Sequence, residues 1–260
     1  MIWKAIGQSV IGSSHVQMSK ICEDAIQYKV INPGTDYETL IGFVSDGAGS
    51  AKHAAEASLL AVQMGCSIAG SWVEKQQEID ETNFIFLAER IYDEFAQLAE
   101  IAKVAINEYS CTLLGFVILP NQACFIQIGD GAIIKNGGDG YFTPVWWPHN
   151  GEYQNTTVFL IDDPNFRNLK IKILHEPVKE VAVFSDGLQM LALNNETETV
   201  HQPLFKDFFK VLRVADNQAH LNILSTKLNE YLSGSTINSR TDDDKTLLLA
   251  TRLTHDHSAL

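Results

Sequence analysis

The sequence lacks the features of a membrane-embedded or secreted protein. Over 260 residues, no apolar run approaches the ~20 residues that a membrane helix needs. The opening residues, Met1 to Ala5, have neither the long apolar core nor the cleavage site of a secretory signal. No stretch rich in proline, serine or glycine divides the chain. We therefore expect a cytoplasmic protein without a membrane partner, with one domain over residues 1–254 and a short tail at residues 255–260.

Basic residues and paired cysteines are also scarce. The chain has 19 Lys and Arg against 32 Asp and Glu, which gives a net charge of −13. Non-specific nucleic-acid binding depends on basic side chains that neutralise phosphates, so no nucleic-acid partner is expected. The four cysteines form no Cys-x-x-Cys pair and lie in or beside apolar runs, which favours buried free thiols over disulfides or zinc ligands.

What the chain does have is a set of apolar runs that end in acidic residues. Three of these runs end in Asp46-Gly47, Asp130-Gly131 and Asp186-Gly187, and the run at residues 245–253 is preceded by Asp242-Asp243-Asp244. Strands that end in carboxylates can direct several acids into one crevice, where they repel one another unless a cation lies between them. Mg²⁺ and Mn²⁺ prefer such all-oxygen sites. For Asp130, a plain hairpin turn is an equally good interpretation.

Hydrophobic periodicity predicts blocks of strands and helices. Strands are predicted at residues 2–6, 25–31, 40–44, 111–119, 123–128, 169–174, 180–184 and 245–253, and helices at about 51–68, 83–107, 188–193 and 203–232. This order is neither a strict alternation of strand and helix nor all-β. Two sheets covered by helices would bury the apolar faces of both kinds of element.

The motifs resemble, in their order along the chain, the metal-dependent protein phosphatases of type 2C. The matching segments are Gly12-Ser13-Ser14-His15 with Cys22-Glu23-Asp24-Ala25, Ser45-Asp46-Gly47-Ala48-Gly49-Ser50, Cys111-Thr112 with Gly129-Asp130-Gly131, Ser185-Asp186-Gly187-Leu188, and Asp243-Asp244-Lys245-Thr246. Any one of these segments is a weak signal. All five in order across most of the chain are a strong one.

This resemblance implies a fold and a reaction. The fold is α/β (α+β), a four-layer αββα sandwich of two mainly antiparallel β-sheets flanked by helices. The reaction is the hydrolysis of phosphoserine or phosphothreonine in a phosphorylated protein substrate, by a hydroxide that bridges two divalent cations. The cofactors would be Mn²⁺ or Mg²⁺, with a third ion as an open alternative. The oligomeric state is not indicated.

The resemblance also implies roles for individual residues. Asp46 would bridge the two metal ions and activate the water, the Gly47 carbonyl would bind one ion, and Asp186 and Asp243 would bind the other. Glu23 and Asp24 would complete the metal site and its catalytic waters. Paired divalent ions lower the pKa of a shared water, so that hydroxide is available near neutral pH.

Several positions depart from the family pattern. Many members carry an Arg shortly before the Glu-Asp pair to bind the substrate phosphate, and here Lys20 or His15 would have to do so. Ala48 stands where some members have a His that is proposed as the general acid. Gly131 replaces a Ser and Asp244 an Asn, and the added charge of Asp244 could tighten metal binding or support the third ion. The chain therefore resembles a divergent bacterial-type branch.

The sequence is also compatible with two other functions, and it allows two placements for one aromatic segment. A pseudophosphatase would bind a partner without turning it over, and the missing Arg and His favour it, whereas the retained acids count against it. A phosphatase of small phosphate esters is also possible on sequence grounds, but the acidic charge argues against a nuclease. Residues 141–168, with Trp146 and Trp147, form either a flap near the crevice or part of the core.

Overall fold

Two antiparallel β-sheets form the centre of the molecule. The computed structural model describes residues 2–148 and 157–253. In these residues the first sheet has five strands, β1 (Lys4–Val10), β6 (Ala132–Asn136), β7 (Thr143–Pro144), β9 (Glu180–Phe184) and β12 (Lys245–Thr251). They lie in the order β1-β12-β9-β6-β7.

The second sheet has five strands in the described residues, β2 (Asp24–Ile31), β3 (Thr39–Asp46), β4 (Leu113–Ile118), β5 (Ala123–Ile128) and β8 (Lys170–Leu174). They lie in the order β2-β3-β4-β5-β8. A separate short ladder joins β10 (Leu193–Asn194) to β11 (Thr199–Val200).

Helices cover the outer face of each sheet. The described helices are α1 (Ser13–Gln17), α2 (Ala54–Glu74), α3 (Glu81–Ala102), α4 (Gln189–Ala192), α5 (Gln202–Arg213), α6 (Gln218–Leu232) and α7 (Ser235–Asn238). The α2 and α3 helices pack on the second sheet, and α5 and α6 pack on the first. No described helix has the length and apolarity needed to cross a bilayer.

Strand alternation explains why the layers number four. Along β12, Leu248 and Ala250 join a buried cluster with residues of the second sheet, whereas Leu247 and Leu249 pack against the outer helices. Successive side chains of a strand point to opposite faces, so an apolar strand can serve both interfaces. The predicted αββα sandwich is therefore confirmed, while the single domain over residues 1–254 stays a prediction.

Some predicted boundaries were wrong. The helix predicted at 83–107 ends at Ala102, because Lys103 adopts a left-handed conformation with φ of 55°, and a separate 3₁₀ turn, Ile106–Tyr109, follows. The helix predicted at 203–232 is interrupted before Asn217, whose side chain caps α6 by accepting a hydrogen bond from the His220 N–H.

The strands show smaller differences. The first strand, predicted at 2–6, runs from Lys4 to Val10, and β6 was not predicted at all. The segment β6 has only five residues and directly follows a Gly-Asp-Gly turn, so it shows little hydrophobic periodicity. It is a strand because it pairs with β9. Residues 141–168 were predicted as either a flap or part of the core. Trp146 and Trp147 pack against the core, and residues 149–156 lie outside the described part.

A buried ionic network fastens α5 to the first sheet. Glu180 has 0% exposure, and it accepts hydrogen bonds from the Arg213 guanidinium at 2.8 and 2.6 Å. The Asn136 amide and the Thr251 hydroxyl each donate to the same carboxylate at 2.9 Å. Every donor in the network therefore depends on one buried carboxylate.

Replacing Glu180 with Ala is expected to lower the free energy of unfolding by about 3 kcal/mol or more, because it leaves a buried guanidinium without its counter-charge. Urea unfolding monitored by circular dichroism measures this loss. Glu230→Ala, which removes an exposed acid from α6, is the matched control and should change stability little. Equal losses in the two variants would contradict the importance of the network.

Candidate metal centre

The second sheet brings two of the predicted acids together. Its β2–β3 register places Asp24 directly opposite Asp46, at the end of the sandwich where β2 begins and β3 ends. Like charges directly opposite each other on neighbouring strands destabilise a sheet. This pairing therefore has to be supported by another contact or by a cation.

The first sheet supplies the other acids at the same end. Asp186 follows β9, Asp243 lies two residues before β12, and these two strands pair with each other. Ser185 joins the sheets: its hydroxyl donates to Asp24 at 2.7 Å and accepts from the Thr246 N–H at 3.0 Å. The structure thus gathers the predicted metal ligands Asp24, Asp46, Asp186 and Asp243 around one crevice.

The acids of this crevice resist ionisation. Burial, reinforced by the charges of Asp244 and Asp186, raises the pKa of Asp24 to about 7 despite the Ser185 hydrogen bond. Burial and the charge of Asp130 raise the pKa of Asp186 to about 6. Burial with the charges of Asp24 and Asp186 holds the pKa of Asp46 well above its usual value of 3.8. Burial likewise raises the pKa of Asp243.

Unmatched oxygen atoms point to a cation among these groups. Within the described residues, Asp24 Oδ1 and Asp186 Oδ1 are buried and have no hydrogen-bond partner. Buried polar atoms are rarely left unpaired without a reason, and a divalent cation would satisfy carboxylate oxygens and offset their charge. The donor set is all oxygen, so it fits Mg²⁺ or Mn²⁺.

The site is open and does not form a closed cage. Across residues 2–148 and 157–253, no three His, Cys, Asp or Glu side chains are placed to hold one metal ion between them. Mg²⁺ usually keeps several waters and takes only one or two protein carboxylates. An arrangement of paired acids with water in the remaining positions is therefore the kind of site that these residues fit.

Asp244 has a structural role that the sequence did not reveal. Its oxygens accept hydrogen bonds from the N–H groups of Gly12 and Glu23, both at 2.6 Å, and Oδ2 lies 2.9 Å from His15 Nδ1. The carboxylate is buried and engaged by donors of the opening loop. Asp244 thus connects the opening motif to the final one. These contacts explain why an acid occupies this position, and they require no third metal ion.

The predicted phosphate ligands contact acids instead. His15 is buried, with Nδ1 beside Asp244 and Nε2 3.5 Å from Glu23 Oε2. The Lys20 ammonium lies 3.1 Å from Glu23 Oε1 and donates to the Gly49 carbonyl at 2.6 Å. Both side chains therefore hold Glu23 and the loop after Asp46, and their predicted contact with phosphate stays a prediction.

Glycines allow the loops of the crevice to approach closely. A Cβ atom on Gly47 would lie 2.6 Å from the Ala54 carbonyl oxygen and 2.8 Å from that of Glu23. A Cβ on Gly187 would collide with the Asp244 carbonyl oxygen. Backbone atoms cannot yield at such distances, so the glycine of each of these Asp-Gly motifs is needed for packing at the crevice.

Asp130 lies beside the crevice as well as on a hairpin. Its Oδ2 accepts a hydrogen bond from the Thr157 hydroxyl, and its backbone carbonyl accepts one from the Gln189 amide. Its charge helps to raise the pKa of Asp186. From the sequence, Asp130 could be either a plain turn residue or a functional one. In the structure it lies close enough to Asp186 for its charge to act on the site.

Sequence reasoning missed the structural roles of Ser185 and Asp244, although both lie within the quoted motifs. A serine directly before an Asp-Gly is a small polar residue at the end of a buried strand. That position was the available signal for Ser185. For Asp244 no local signal existed, because its partner Gly12 is 232 positions away in the chain.

Comparison with known proteins agrees with this geometry. The family model described as "Protein phosphatase 2C" matches residues 11–233. The chain is 34% identical over 255 residues to "Serine/threonine-protein phosphatase 3" of Escherichia coli (strain K12), which covers 96% of this chain and 98% of that protein. The chain therefore belongs to the protein phosphatase 2C family, as the motif order predicted.

Solved structures with lower identity share the fold. The catalytic domain of the serine/threonine protein phosphatase PstP, crystallised with two manganese ions, has a TM-score of 0.61 at 15% identity and covers 96% of this chain and 98% of that one. Stp1 from Staphylococcus aureus has a TM-score of 0.58 at 17% identity, with 96% and 95% covered. RsbX, in complex with magnesium, has a TM-score of 0.56 at 16% identity, with 96% and 95% covered.

Proposed function

We propose that this protein removes phosphate from phosphoserine and phosphothreonine in cytoplasmic protein substrates, with two Mn²⁺ or Mg²⁺ ions in the crevice. Its family membership supports a protein phosphatase that depends on divalent metal. The observation that carries the proposal is the convergence of four acids with raised pKa values at one end of the sandwich. Two of them, Asp24 and Asp186, each have a buried oxygen without a hydrogen-bond partner in the described residues.

The proposed ligand set follows this arrangement. Asp46 would be the ligand common to both ions, the Gly47 carbonyl would bind one of them, and Asp186 and Asp243 would bind the other. When bound, the ions supply a water of lowered pKa and neutralise charge on the phosphoryl group. Asp24 and Glu23 hold and orient water around the ions, and Ser185 fixes the Asp24 carboxylate by its 2.7 Å hydrogen bond.

The substrate peptide would lie in a groove beside the acids. A groove of about 410 Å³ runs past Lys20, Glu23, Lys52 and Glu56. Its volume lies within the range of ordinary ligand pockets. Because its lining carries both signs of charge, the groove suits a polypeptide segment better than a strongly anionic polymer such as nucleic acid.

Two other functions remain to be distinguished from this one. A pseudophosphatase is favoured by the engagement of His15 and Lys20 with acids, because both predicted phosphate ligands already have negatively charged partners. The retention of all four acids favours an enzyme. A phosphatase of small phosphate esters would use the same crevice, and only a comparison of substrates separates it.

The decisive experiment is hydrolysis of para-nitrophenyl phosphate and a phosphothreonine peptide with Mn²⁺, with Mg²⁺ and with chelator. Metal-dependent release of phosphate from both is expected, and nucleotides and sugar phosphates should be hydrolysed more slowly than the peptide. Tight Mn²⁺ binding without turnover would instead indicate the pseudophosphatase. A preference for nucleotides or sugar phosphates over the peptide would indicate the small-ester phosphatase.

Lys20→Met is expected to raise the Mn²⁺ concentration for half-maximal activity about tenfold, because residues that orient a metal shell typically contribute 10–100-fold. Inhibition by inorganic phosphate should change much less, since the Lys20 ammonium contacts Glu23 and Gly49. Lys52→Met, in the same groove, is the matched control. Phosphate inhibition that weakens while the Mn²⁺ requirement is unchanged would assign Lys20 to the substrate phosphate instead.

A further inference from the structure

A second polar cavity lies at the opposite end of the sandwich. It has a volume of about 130 Å³, and its lining includes Trp3, Glu38, Pro120, Lys179 and Arg252. Arg252 directly follows β12, whereas Asp244 directly precedes it. At about 3.3 Å per strand residue, the cavity lies roughly 25 Å from the acidic crevice.

The lining of this cavity contains buried donors without acceptors. Trp3 is only 4% exposed, and its indole Nε1–H has no hydrogen-bond partner among the described residues. In the same part of the chain, Arg252 Nε is likewise buried and unpartnered. Arg252 Nη2 donates to the Pro120 carbonyl at 3.4 Å, and the guanidinium lies 5.1 Å from the centre of the Trp3 ring. Unpaired buried donors are costly, so an acceptor here would stabilise the protein.

Two cations stand next to each other at the cavity. The backbone N–H of Arg252 donates a hydrogen bond to the backbone carbonyl of Lys179 at 3.0 Å. The two residues therefore lie opposite each other, one position past Thr251 and Glu180, the last paired residues of β12 and β9. Neither side chain forms an ion pair within the described residues. Burial and the charge of Arg252 lower the pKa of Lys179. Burial also lowers the pKa of Arg252, and the charge of Glu38 offsets only part of this effect. An anion between them would relieve this repulsion.

The two acids that line the cavity form no hydrogen bond with the side chains of Trp3, Lys179 and Arg252 in the described residues. Glu38 is buried, and its two oxygens accept hydrogen bonds from the backbone N–H groups of Trp3 and Gly34. Asp36 is exposed to solvent. The donors of Trp3, Lys179 and Arg252 are therefore not neutralised by direct contact with either acid.

We propose that this cavity is a binding site for a small oxyanion of phosphate size, held by the indole N–H of Trp3, the guanidinium of Arg252 and the ammonium of Lys179. Its volume is several times the ~10–15 Å³ that one water needs, which is enough for one tetrahedral oxyanion. The site joins the start of β1, the β2–β3 loop, the β4–β5 turn and the end of β12. Binding there stabilises the end of the sandwich that lies opposite the acids.

The test follows the indole N–H signal of Trp3 by two-dimensional NMR in the full chain loaded with Mg²⁺. Trp3→Phe identifies the signal by its disappearance. Inorganic phosphate is titrated at constant ionic strength, and sulfate serves as a second tetrahedral oxyanion that the proposed reaction does not release. Saturable movement of the Trp3 signal is expected with both, without saturable movement from chloride.

Lys179→Gln should weaken this binding about tenfold, since one hydrogen bond to a charged group typically contributes about 1.5 kcal/mol or more. Arg252→Gln should weaken it at least as much. Lys227→Gln removes an exposed positive charge from α6 and should leave the titration unchanged. A Trp3 signal that does not move, that moves equally with chloride, or that titrates identically in Lys179→Gln and wild type would overturn the proposal.

Discussion

Asp46→Asn is expected to reduce phosphatase turnover by on the order of a thousandfold, equivalent to about 4 kcal/mol of transition-state stabilisation. Asp46 is the carboxylate proposed to be shared by both ions, and it lies opposite Asp24 across β2 and β3. An amide of the same shape cannot supply the negative charge that holds two divalent cations. Hydrolysis of the phosphothreonine peptide under saturating Mn²⁺ measures the loss.

The fold of this variant should remain intact. The substitution removes one member of a cluster of mutually repelling acids, so the metal-free variant should unfold at the same or a higher urea concentration than wild type. Asp207→Asn, an exposed position on α5, is the matched control and should keep full activity. Near-wild-type turnover in Asp46→Asn would defeat the proposed metal centre.

Removal of metal is expected to make stability strongly dependent on pH. In the folded protein the pKa of Asp24 is about 7 and that of Asp186 about 6, both above the ordinary value of 3.8. Because the folded state binds these protons more tightly than the unfolded chain does, their stabilising contribution is complete below about pH 4 and is lost as the pH rises to about 7. One pKa unit corresponds to about 1.4 kcal/mol, so Asp24 alone accounts for about 4 kcal/mol.

The melting temperature of the metal-free protein should therefore fall between about pH 4 and pH 7, whereas saturating Mn²⁺ should remove most of the fall. Differential scanning calorimetry with chelator and with Mn²⁺ gives both curves. Parallel curves in the two conditions would show that the acids are not coupled to metal.

Asp24→Asn isolates the contribution of one acid. Since Asn does not titrate in this range and can still accept the Ser185 hydrogen bond, the metal-free variant should melt higher than wild type near neutral pH and show a flatter pH dependence. It should also lose activity. An increase in stability with a loss of function is typical of a site whose acids are held close together for chemistry.

Much of the fold could be predicted because its elements are encoded locally. Runs such as Leu40 to Val44 and Val181 to Phe184 are apolar, short and bounded by turn residues, and they form strands β3 and β9. The predicted boundaries were wrong where the hydrophobic periodicity continued past the point at which the backbone conformation ends the helix. Lys103 ends α3 in a left-handed conformation that is unusual for lysine, so periodicity alone extended the helix too far.

The family, the four-layer fold and the acids around Asp46 could be predicted because the order of the motifs and the acids at strand ends are visible along the chain. The bridge that Ser185 makes between the sheets, the hold of Asp244 on the opening loop, and the cavity shared by Trp3 and Arg252 arise only on folding. These contacts join residues more than 150 positions apart. They depend on strand register and sheet packing, and neither leaves a local pattern in the sequence.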